Sequence, residues 1–319
     1  MEHGLRTLLP RNVEVRSGPG CPVCVTSPDE IATAIELSKR RDTVLTTFGD
    51  MLRVPSALGS LSDARADGGR IRVVYSIRDA VELARQNPSR QHIHFAIGFE
   101  TTAPGTAIEL MGDPPENFSV IVSHRLIPPA MEHLLKAGEI RIDGFLCPGH
   151  VSTIIGVEPY VPLTTQYGIP QVIAGFEPID VLISIVMILE QIDLGEAQVV
   201  NEYTRSVRHA GNVKAKEALR KIFEVVDTDW RGIGSIEKSG YALRNDYSEH
   251  DAIAKFGLRQ RRTYEMPAGC RCGELLRGLI YPEECPLFGK ACTFGDPVGP
   301  CMVSREGACY VAARFGKSS

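Results

Sequence analysis

Short apolar runs alternate with longer amphipathic stretches in the first hundred residues of the chain. Residues 29–41 and 77–88 space their apolar positions three and four apart, which predicts two helices. Ser27 or Asp29 is a suitable N-cap for the first helix, with Pro28 in its first turn. The apolar runs predict four strands, at residues 13–17, 43–48, 70–76 and 92–100. Alternating strands and helices are typical of a parallel sheet that is covered on both faces.

The same alternation restarts near residue 118. Four more strands are predicted, at residues 118–124, 142–150, 170–177 and 197–203. Helices are predicted between them at 128–138 and 178–192, and the very apolar run VLISIVMILE within the latter predicts a buried helix. The tripeptide Gly-Phe-Glu closes a strand in each half, at 98–100 and 175–177, which hints at two related domains. The pattern therefore predicts α/β domains at residues 1–103 and 104–204.

The pattern changes from about residue 205. The segment GNVKAKEALRKIFEVV is predicted to form one helix, and glycine and proline become dense from Pro267 onward. A loop-rich region of this length needs a cross-link such as a metal cluster to hold it together. Residues 205–319 are therefore predicted to form a third, smaller, helical and loop-rich domain.

The composition of this 319-residue chain argues against nucleic-acid binding and against a membrane-spanning protein. A net charge of −4 gives no general attraction to nucleic acid or to anionic membranes. The longest apolar run is much shorter than the roughly 20 residues of a membrane span. The first residues, MEHGLRTLLP, have no apolar core of a signal peptide, so a cytoplasmic protein is expected.

Cysteine is unevenly distributed. Of nine cysteines, Cys21 and Cys24 form a Cys-x-x-Cys in SGPGCPVCV. Cys147 has no cysteine near it in the sequence, and taken alone it is expected to be a small buried hydrophobic residue. Six more crowd the C-terminal region, namely Cys270, Cys272, Cys285, Cys292, Cys301 and Cys309. In a reducing cytosol such a cluster favours metal or redox chemistry over structural disulfides.

The spacing of the six C-terminal cysteines bears on the kind of metal site. Intervals of one, twelve, six, eight and seven residues contain no second close pair, and two close pairs are usual for zinc. Widely spaced thiolates fit a cubic iron–sulfur cluster, and zinc remains the alternative. A cubic iron–sulfur cluster needs four thiolate ligands. The two surplus cysteines are either structural or form a dithiol beside the cluster.

Polar residues follow the predicted strands at the edge where parallel α/β sheets bind ligands. Cys21, Cys24, Asp50, Glu100 and His150 all fall in such loops. Helix capping by the threonines after Glu100, and a structural hydrogen bond for His150, are the alternatives. No Gly-rich nucleotide motif is present. Convergence of thiols, carboxylates and an imidazole on one edge predicts a metal or redox site, and a helix start after Cys21 would lower a thiol pKa as in thioredoxin-like proteins.

The chain strongly resembles the HypD family of [NiFe]-hydrogenase maturation factors, over essentially its whole length. The resemblance rests on HGLRTLLP, SGPGCPVCV, TTFGDMLRVP, GFETTAP, SHRLIPPA, GFLCPGHVSTIIG, VIAGFEPIDVL, CRCGELLRG, CPLFGKAC and PVGPCMVSREGAC. It implies two related α/β domains and a third domain that holds a [4Fe-4S] cluster.

The resemblance also implies partners and cargo. Members of the family form a complex with the small chaperone HypC and receive cyanide through HypE. The complex carries iron bearing cyanide and carbon monoxide, which later reaches the hydrogenase large subunit. No nucleic acid or membrane partner is implied.

Site residues follow from the family's motifs. The pattern Cys-x14-Cys-x6-Cys-x16-Cys maps onto the set Cys270, Cys285, Cys292 and Cys309 as cluster ligands. Cys272 and Cys301 are then the surplus pair and suit a thiol relay, similar to that of ferredoxin–thioredoxin reductase. The family's CGTH motif precedes HGLR, whereas here Met1 and Glu2 lead directly into it, so the resemblance implies a chain truncated at its N-terminus.

Three functions are consistent with these residues. The main hypothesis is a metallocentre-assembly scaffold with redox activity, in which Cys21 and Cys24 bind the iron and Asp50, Glu100 and His150 line the same cleft. The second is an iron–sulfur thiol/disulfide oxidoreductase. The third is an α/β binding module stabilised by zinc.

Overall fold

The computed structural model describes residues 5–258 and 266–316. Its first sheet has four parallel strands in the order β2-β1-β3-β4. The strands are β1 Thr43–Thr47, β2 Ile71–Val73, β3 Gln91–Gly98 and β4 Phe118–His124. The helices around them are α1 Pro22–Val25, α2 Pro28–Ser38, α3 Leu61–Ala66, α4 Ile77–Gln86, α5 Ala103–Met111 and α6 Ile127–Ala137.

The second sheet has three parallel strands in the order β5-β6-β7. These are β5 Phe145–Pro148, β6 Gln171–Ala174 and β7 Val199–Asn201, with α7 Gly149–Ile155, α8 Val161–Tyr167 and α9 Pro178–Leu194. The prediction of an α/β protein with parallel sheets is confirmed. The domain limits at residues 103 and 204 remain a prediction.

The remainder of the described chain contains mainly short helices and one hairpin. Its elements are α10 Val213–Ile222, β8 Phe223–Trp230, β9 Gly234–Leu243, α11 Ala252–Lys255, α12 Cys272–Leu276, α13 Pro300–Val303 and α14 Ala308–Phe315. β8 and β9 pair in antiparallel fashion. Among the described residues, no helix combines the length and apolarity that a membrane crossing requires.

Local sequence explains how α2 begins. The Ser27 hydroxyl accepts a hydrogen bond from the backbone N–H of Asp29, and the Glu30 side chain accepts one from the backbone N–H of Ser27. This capping box satisfies N–H groups that have no partner within the helix. Pro28 occupies the first helical position, as predicted.

Two strand predictions need correction. Residues 13–17 form no strand and run as irregular chain. The strand Phe118–His124 pairs with β3 as an edge strand of the first sheet, whereas the sequence pattern grouped it with the second set. A strand's apolar pattern records only that the strand is buried, and the choice of partner depends on contacts distant in sequence.

Two helix predictions were also wrong in part. The helix predicted at 211–226 ends at Ile222, and Phe223 starts β8. The β-branched residues of β8, Val225, Val226 and Thr228, pair with Tyr241, Gly240 and Ile236 of β9. The helix α9 is not buried all round. Ile179 and Val186 are 61% and 51% exposed, whereas Ile185 and Ile188 face the interior.

One continuous core links the parts of the chain. Buried residues of the Cys21 loop, both sheets and the C-terminal cysteines belong to the same apolar cluster. Phe99, after β3, stacks on Trp230 at the end of β8 with ring centroids 6.1 Å apart. The hairpin is thereby fixed to the carboxyl edge of the first sheet, where the candidate site lies.

Candidate functional site

The Cys-x-x-Cys begins a single helical turn. Cys21 is the N-cap of α1, and its sulfur accepts a hydrogen bond of 3.2 Å from the backbone N–H of Cys24. Cys21 and Cys24 are joined by a disulfide, with Cα atoms 5.3 Å apart, and both are buried. Pro22 occupies the first turn, where it needs no N–H partner. The pair therefore follows irregular chain and not the predicted strand.

The disulfide lies against the C-terminal cysteine region. The Cys24 sulfur is 3.8 Å from the carbonyl oxygen of Pro300, the first residue of α13, and α1 packs on this helix. Cys301 is the next residue in the chain and is also buried. The Cys-x-x-Cys is thus close to one of the surplus cysteines.

The other end of α13 contacts Asp50. This aspartate lies in the 3-10 helix Gly49–Arg53 that follows β1, and its Oδ2 accepts a hydrogen bond of 3.2 Å from the hydroxyl of Ser304. The backbone N–H of Glu306 donates to the same hydroxyl oxygen. The sequence did not predict a site role for Ser304 or Glu306, although both lie in VSREGAC, between Cys301 and Cys309.

Asp50 and His150 both lie close enough to Glu306 for their charges to act on its carboxyl group. Loss of hydration and the nearby Asp50 carboxylate raise the pKa of Glu306, while His150 lowers it. His150 follows β5 and is exposed, and its ring stacks on that of Phe176 after β6 with centroids 3.9 Å apart. Two predicted residues from different sheets are therefore close to the same C-terminal loop.

Glu100 lies apart from this exposed group. Its side chain is 2% exposed, and Oε1 accepts a hydrogen bond of 2.9 Å from the backbone N–H of Ile127 at the start of α6. Burial raises the pKa of Glu100 to about 7. The carboxyl group is therefore an internal helix cap and not a side chain of the open edge.

All six C-terminal cysteines line one small cavity. They are Cys270, Cys272, Cys285, Cys292, Cys301 and Cys309. Among the described residues, Arg271 is the only charged residue in the lining, and no carboxylate or imidazole contributes. A Cβ on Gly299 would lie 2.7 Å from the Cys270 sulfur, so this position leaves the thiols room only as glycine.

The thiols of the cavity differ in acidity. Hydrogen bonding to Cys301, and secondarily the charge of Arg231, lower the pKa of Cys272. The same hydrogen bond and burial raise the pKa of Cys301. Burial raises the pKa of Cys270 to about 12 and also raises that of Cys309. The two thiols of the surplus pair predicted from the family pattern therefore lie close enough to shift each other's pKa in opposite directions.

The cavity's donor set fits an iron–sulfur cluster better than a hard cation. Thiolate sulfur is a soft ligand that selects zinc, copper(I) or iron–sulfur clusters. Within residues 5–258 and 266–316, no three acidic, histidine or cysteine side chains converge as ligands of a single ion. A cube of four irons is larger than an ion, so its thiolates stand further apart around a shared space.

Cys147 has a structural environment. It is buried in β5, its sulfur lies 3.6 Å from Oε1 of Gln171, and burial strongly raises its thiol pKa. This agrees with the interpretation of Cys147 as a small buried hydrophobe.

Fold and site together define a class: an α/β protein with two parallel sheets and a cysteine-lined C-terminal cavity suited to soft-metal or redox chemistry. The chain belongs to the HypD family, because the family model described as "HypD: Hydrogenase formation hypA family" matches residues 1–316.

Curated relatives agree along almost the whole chain. Hydrogenase maturation factor HypD2 of Bradyrhizobium diazoefficiens is 46% identical over 326 residues, which cover 99% of this chain and 86% of the relative. Hydrogenase maturation factor HypD of Azotobacter vinelandii is 45% identical over 327 residues, with the same coverage. HypD of Cupriavidus necator is 43% identical over 326 residues, covering 99% and 86% of the two chains.

Proposed function

We propose that this chain is a scaffold that assembles the Fe(CN)2CO group of [NiFe]-hydrogenase together with a HypC-type chaperone. A HypE-type protein would supply the cyanide, and the hydrogenase large subunit would receive the iron group indirectly, through the chaperone complex. Support comes from relatives named hydrogenase maturation factors that match nearly the full length of the chain.

The observation that carries the proposal is the position of α13. This helix meets the Cys21–Cys24 pair at Pro300 and meets Asp50 just past its end, at Ser304. The Cys21–Cys24 pair, proposed as the iron ligands once reduced, and Asp50, proposed as a proton acceptor, therefore both contact one short element. Such an arrangement suits a metal cargo that must be bound and later released.

The chemistry required of these residues is simple. Reduction of the Cys21–Cys24 disulfide consumes two electrons and two protons and gives two thiols, and a reduced ferredoxin-type protein is the class of donor expected. Thiolates are suitable ligands for low-valent iron with carbonyl and cyanide ligands. Thiols lose their protons when they bind metal, and Asp50, His150 and Glu306 are the nearby groups that can accept them.

A [4Fe-4S] cluster is proposed for the cysteine-lined cavity, held by Cys270, Cys285, Cys292 and Cys309. Bound there, it would supply one-electron transfer. Burial raises the thiol pKa values of Cys270 and Cys309, so both thiols hold their protons at neutral pH, and binding of a metal cluster would displace these protons.

Infrared spectroscopy of the complex with a HypC-type chaperone tests the scaffold. Cyanide and carbonyl stretching bands are expected in the wild-type complex and are expected to be lost in the Cys21→Ala/Cys24→Ala variant. Cys147→Ala is the matched control, because this buried thiol lies outside the site. The cyanide and carbonyl bands should remain in the complex of this variant. Bands that persist in the double variant would refute the role assigned to the thiol pair.

A second function is favoured by one specific contact, the 3.8 Å between the Cys24 sulfur and Pro300 beside Cys301. It is an iron–sulfur thiol/disulfide oxidoreductase in which the Cys272–Cys301 dithiol reduces the Cys21–Cys24 disulfide by exchange. The new Cys272–Cys301 disulfide would then take two electrons and two protons. Catalytic turnover of an external disulfide with reduced ferredoxin would support this function over the scaffold, and its absence would exclude it.

A further inference from the structure

A second cavity, of about 420 Å³, lies at the amino-terminal edge of the first sheet. Its lining includes Val44, Ile71 and His92, which lie at or near the starts of β1, β2 and β3. Asp50 and Glu100 follow the opposite, carboxyl ends of β1 and β3. The cavity is therefore separate from the thiol site and independent of the proposed function.

The cavity is cationic. Arg70, Arg72 and Arg90 line it, and no carboxylate of residues 5–258 or 266–316 does. Arg70 and Arg90 each donate from Nη1 to the carbonyl oxygen of Arg41, at 3.0 and 3.1 Å. A guanidinium has five N–H donors, so each of these arginines keeps further donors. Across the part of the chain that the structure describes, the Arg72 guanidinium has no hydrogen-bond or ion-pair partner, although its backbone pairs with β1.

His92 provides a buried polar group without a well-formed hydrogen bond. Its side chain is 2% exposed, and neither ring nitrogen makes a hydrogen bond of good geometry within the described residues, although the Asn87 carbonyl lies near enough to act on the ring. Burial and, to a smaller extent, the charge of Arg90 lower the pKa of His92, against an opposing effect of the Asn87 carbonyl. The neutral ring offers one donor and one acceptor. A buried donor and acceptor without hydrogen bonds cost free energy of folding. A ligand with oxygen donors and acceptors would remove this cost by hydrogen bonding to the ring.

The remaining walls are apolar. Val44, Ile71 and Leu83 line the same space, and the volume lies within the range of small-molecule sites, above the need of a lone phosphate ion. Arginine pairs with phosphate oxygens through strong, charge-assisted hydrogen bonds. A protonated phosphate oxygen can also donate to a neutral imidazole.

We propose that this cavity binds a small organic phosphate, with its phosphate group on Arg72, Arg90 and His92 and its organic part against Val44 and Leu83. The basis is the juxtaposition of three arginines and a buried histidine without a well-formed hydrogen bond around one cavity, whose described lining contains no carboxylate. Nothing in the thiol site is needed for this binding.

Calorimetric titration of the full chain with adenosine monophosphate and with adenosine tests the proposal. Saturable binding of the nucleotide is expected, at least about tenfold tighter than that of the nucleoside. Arg72→Gln should weaken nucleotide binding by about tenfold or more. Arg78→Gln is the matched control, since this exposed arginine of α4 does not line the cavity, and it should change nothing.

A second readout follows His92 directly. Nitrogen-15 spectra of the histidine rings should show one signal that shifts on addition of adenosine monophosphate and is missing in His92→Gln. Equal binding of nucleotide and nucleoside, an unaffected Arg72→Gln variant, or unmoved histidine signals would each overturn the proposal. Inorganic phosphate that binds as tightly as the nucleotide would overturn the assignment of the organic part.

Discussion

Glu100 places an ionisable group in the interior between β3 and α6. One carboxyl oxygen caps the start of α6 through Ile127, while Oε2 has no hydrogen-bond partner among the described residues. Burial raises the pKa of Glu100 from 4.5 to about 7. Between these values the folded protein holds a proton that the unfolded chain has already released.

The free energy of unfolding should therefore lose a contribution of about 3 kcal/mol from Glu100 as pH rises from about 4.5 to 7. The Glu100→Gln variant keeps the cap but cannot ionise, so this loss should be absent from it. Urea unfolding of both proteins at intervals between pH 5 and 8 measures the effect.

Subtracting the two profiles isolates Glu100. The neutral, buried His94 and His124 have lowered pKa values, so they add stability as pH rises and would otherwise mask the trend. Their contribution is the same in both proteins and cancels. A difference profile that is flat across this window would contradict the role given to Glu100.

At the scale of elements, the apolar composition of α9 wrongly predicts that the helix is buried on all sides. Its residues are apolar almost all round, yet Ile185 is 7% exposed while Ile183 on the other face is 40% exposed. The helix covers one side of a small three-stranded sheet, so only the face toward β5 and β6 can be buried. Composition counts apolar residues but does not say how many neighbours a helix will have.

Ile185→Ala should cost about 2–4 kcal/mol of unfolding free energy, because it removes buried methyl groups and leaves a cavity. Ile183→Ala makes the same change on the exposed face and should cost less than about 1 kcal/mol. Chemical denaturation of the two variants provides the comparison. Equal costs would mean that both faces of α9 are covered.

At the scale of the whole molecule, the β8–β9 hairpin joins the disulfide loop to the cysteine cavity. The backbone N–H of Arg231 donates to the carbonyl oxygen of Val25, next to Cys24, over 3.0 Å. The adjacent Gly232 packs against Gly273, the residue after Cys272 in α12. The hairpin thus sets the position of the Cys-x-x-Cys relative to the proposed cluster.

Gly273→Ala should disturb this junction, because the new Cβ would lie 2.4 Å from the backbone oxygen of Gly232 and force the hairpin away. We expect a destabilisation of about 1–3 kcal/mol and a lower iron content after anaerobic purification. Thermal unfolding and iron analysis measure both. Gly295→Ala is the control, since a Cβ there meets nothing within 4 Å. Wild-type behaviour of Gly273→Ala would show that the contact is not needed.

The sequence by itself determined the class of fold and the family of the protein. Apolar spacing predicts α2, α4 and the strands β1 and β3, because helix and strand periods are local properties of the chain. The crowding of cysteines predicts soft-metal or redox chemistry, since it depends only on residue type. The motif resemblance identified the family, which the match of the family model over residues 1–316 confirms.

Only the tertiary structure decided which segments meet. It assigned β4 to the first sheet, paired β8 with β9, and exposed one face of α9. It also brought Ser304 and Glu306 to Asp50, about 250 residues away in the chain. The physical reason is that a local pattern records whether a residue is buried. The partner that buries it depends on packing between distant segments, which no short stretch of sequence contains.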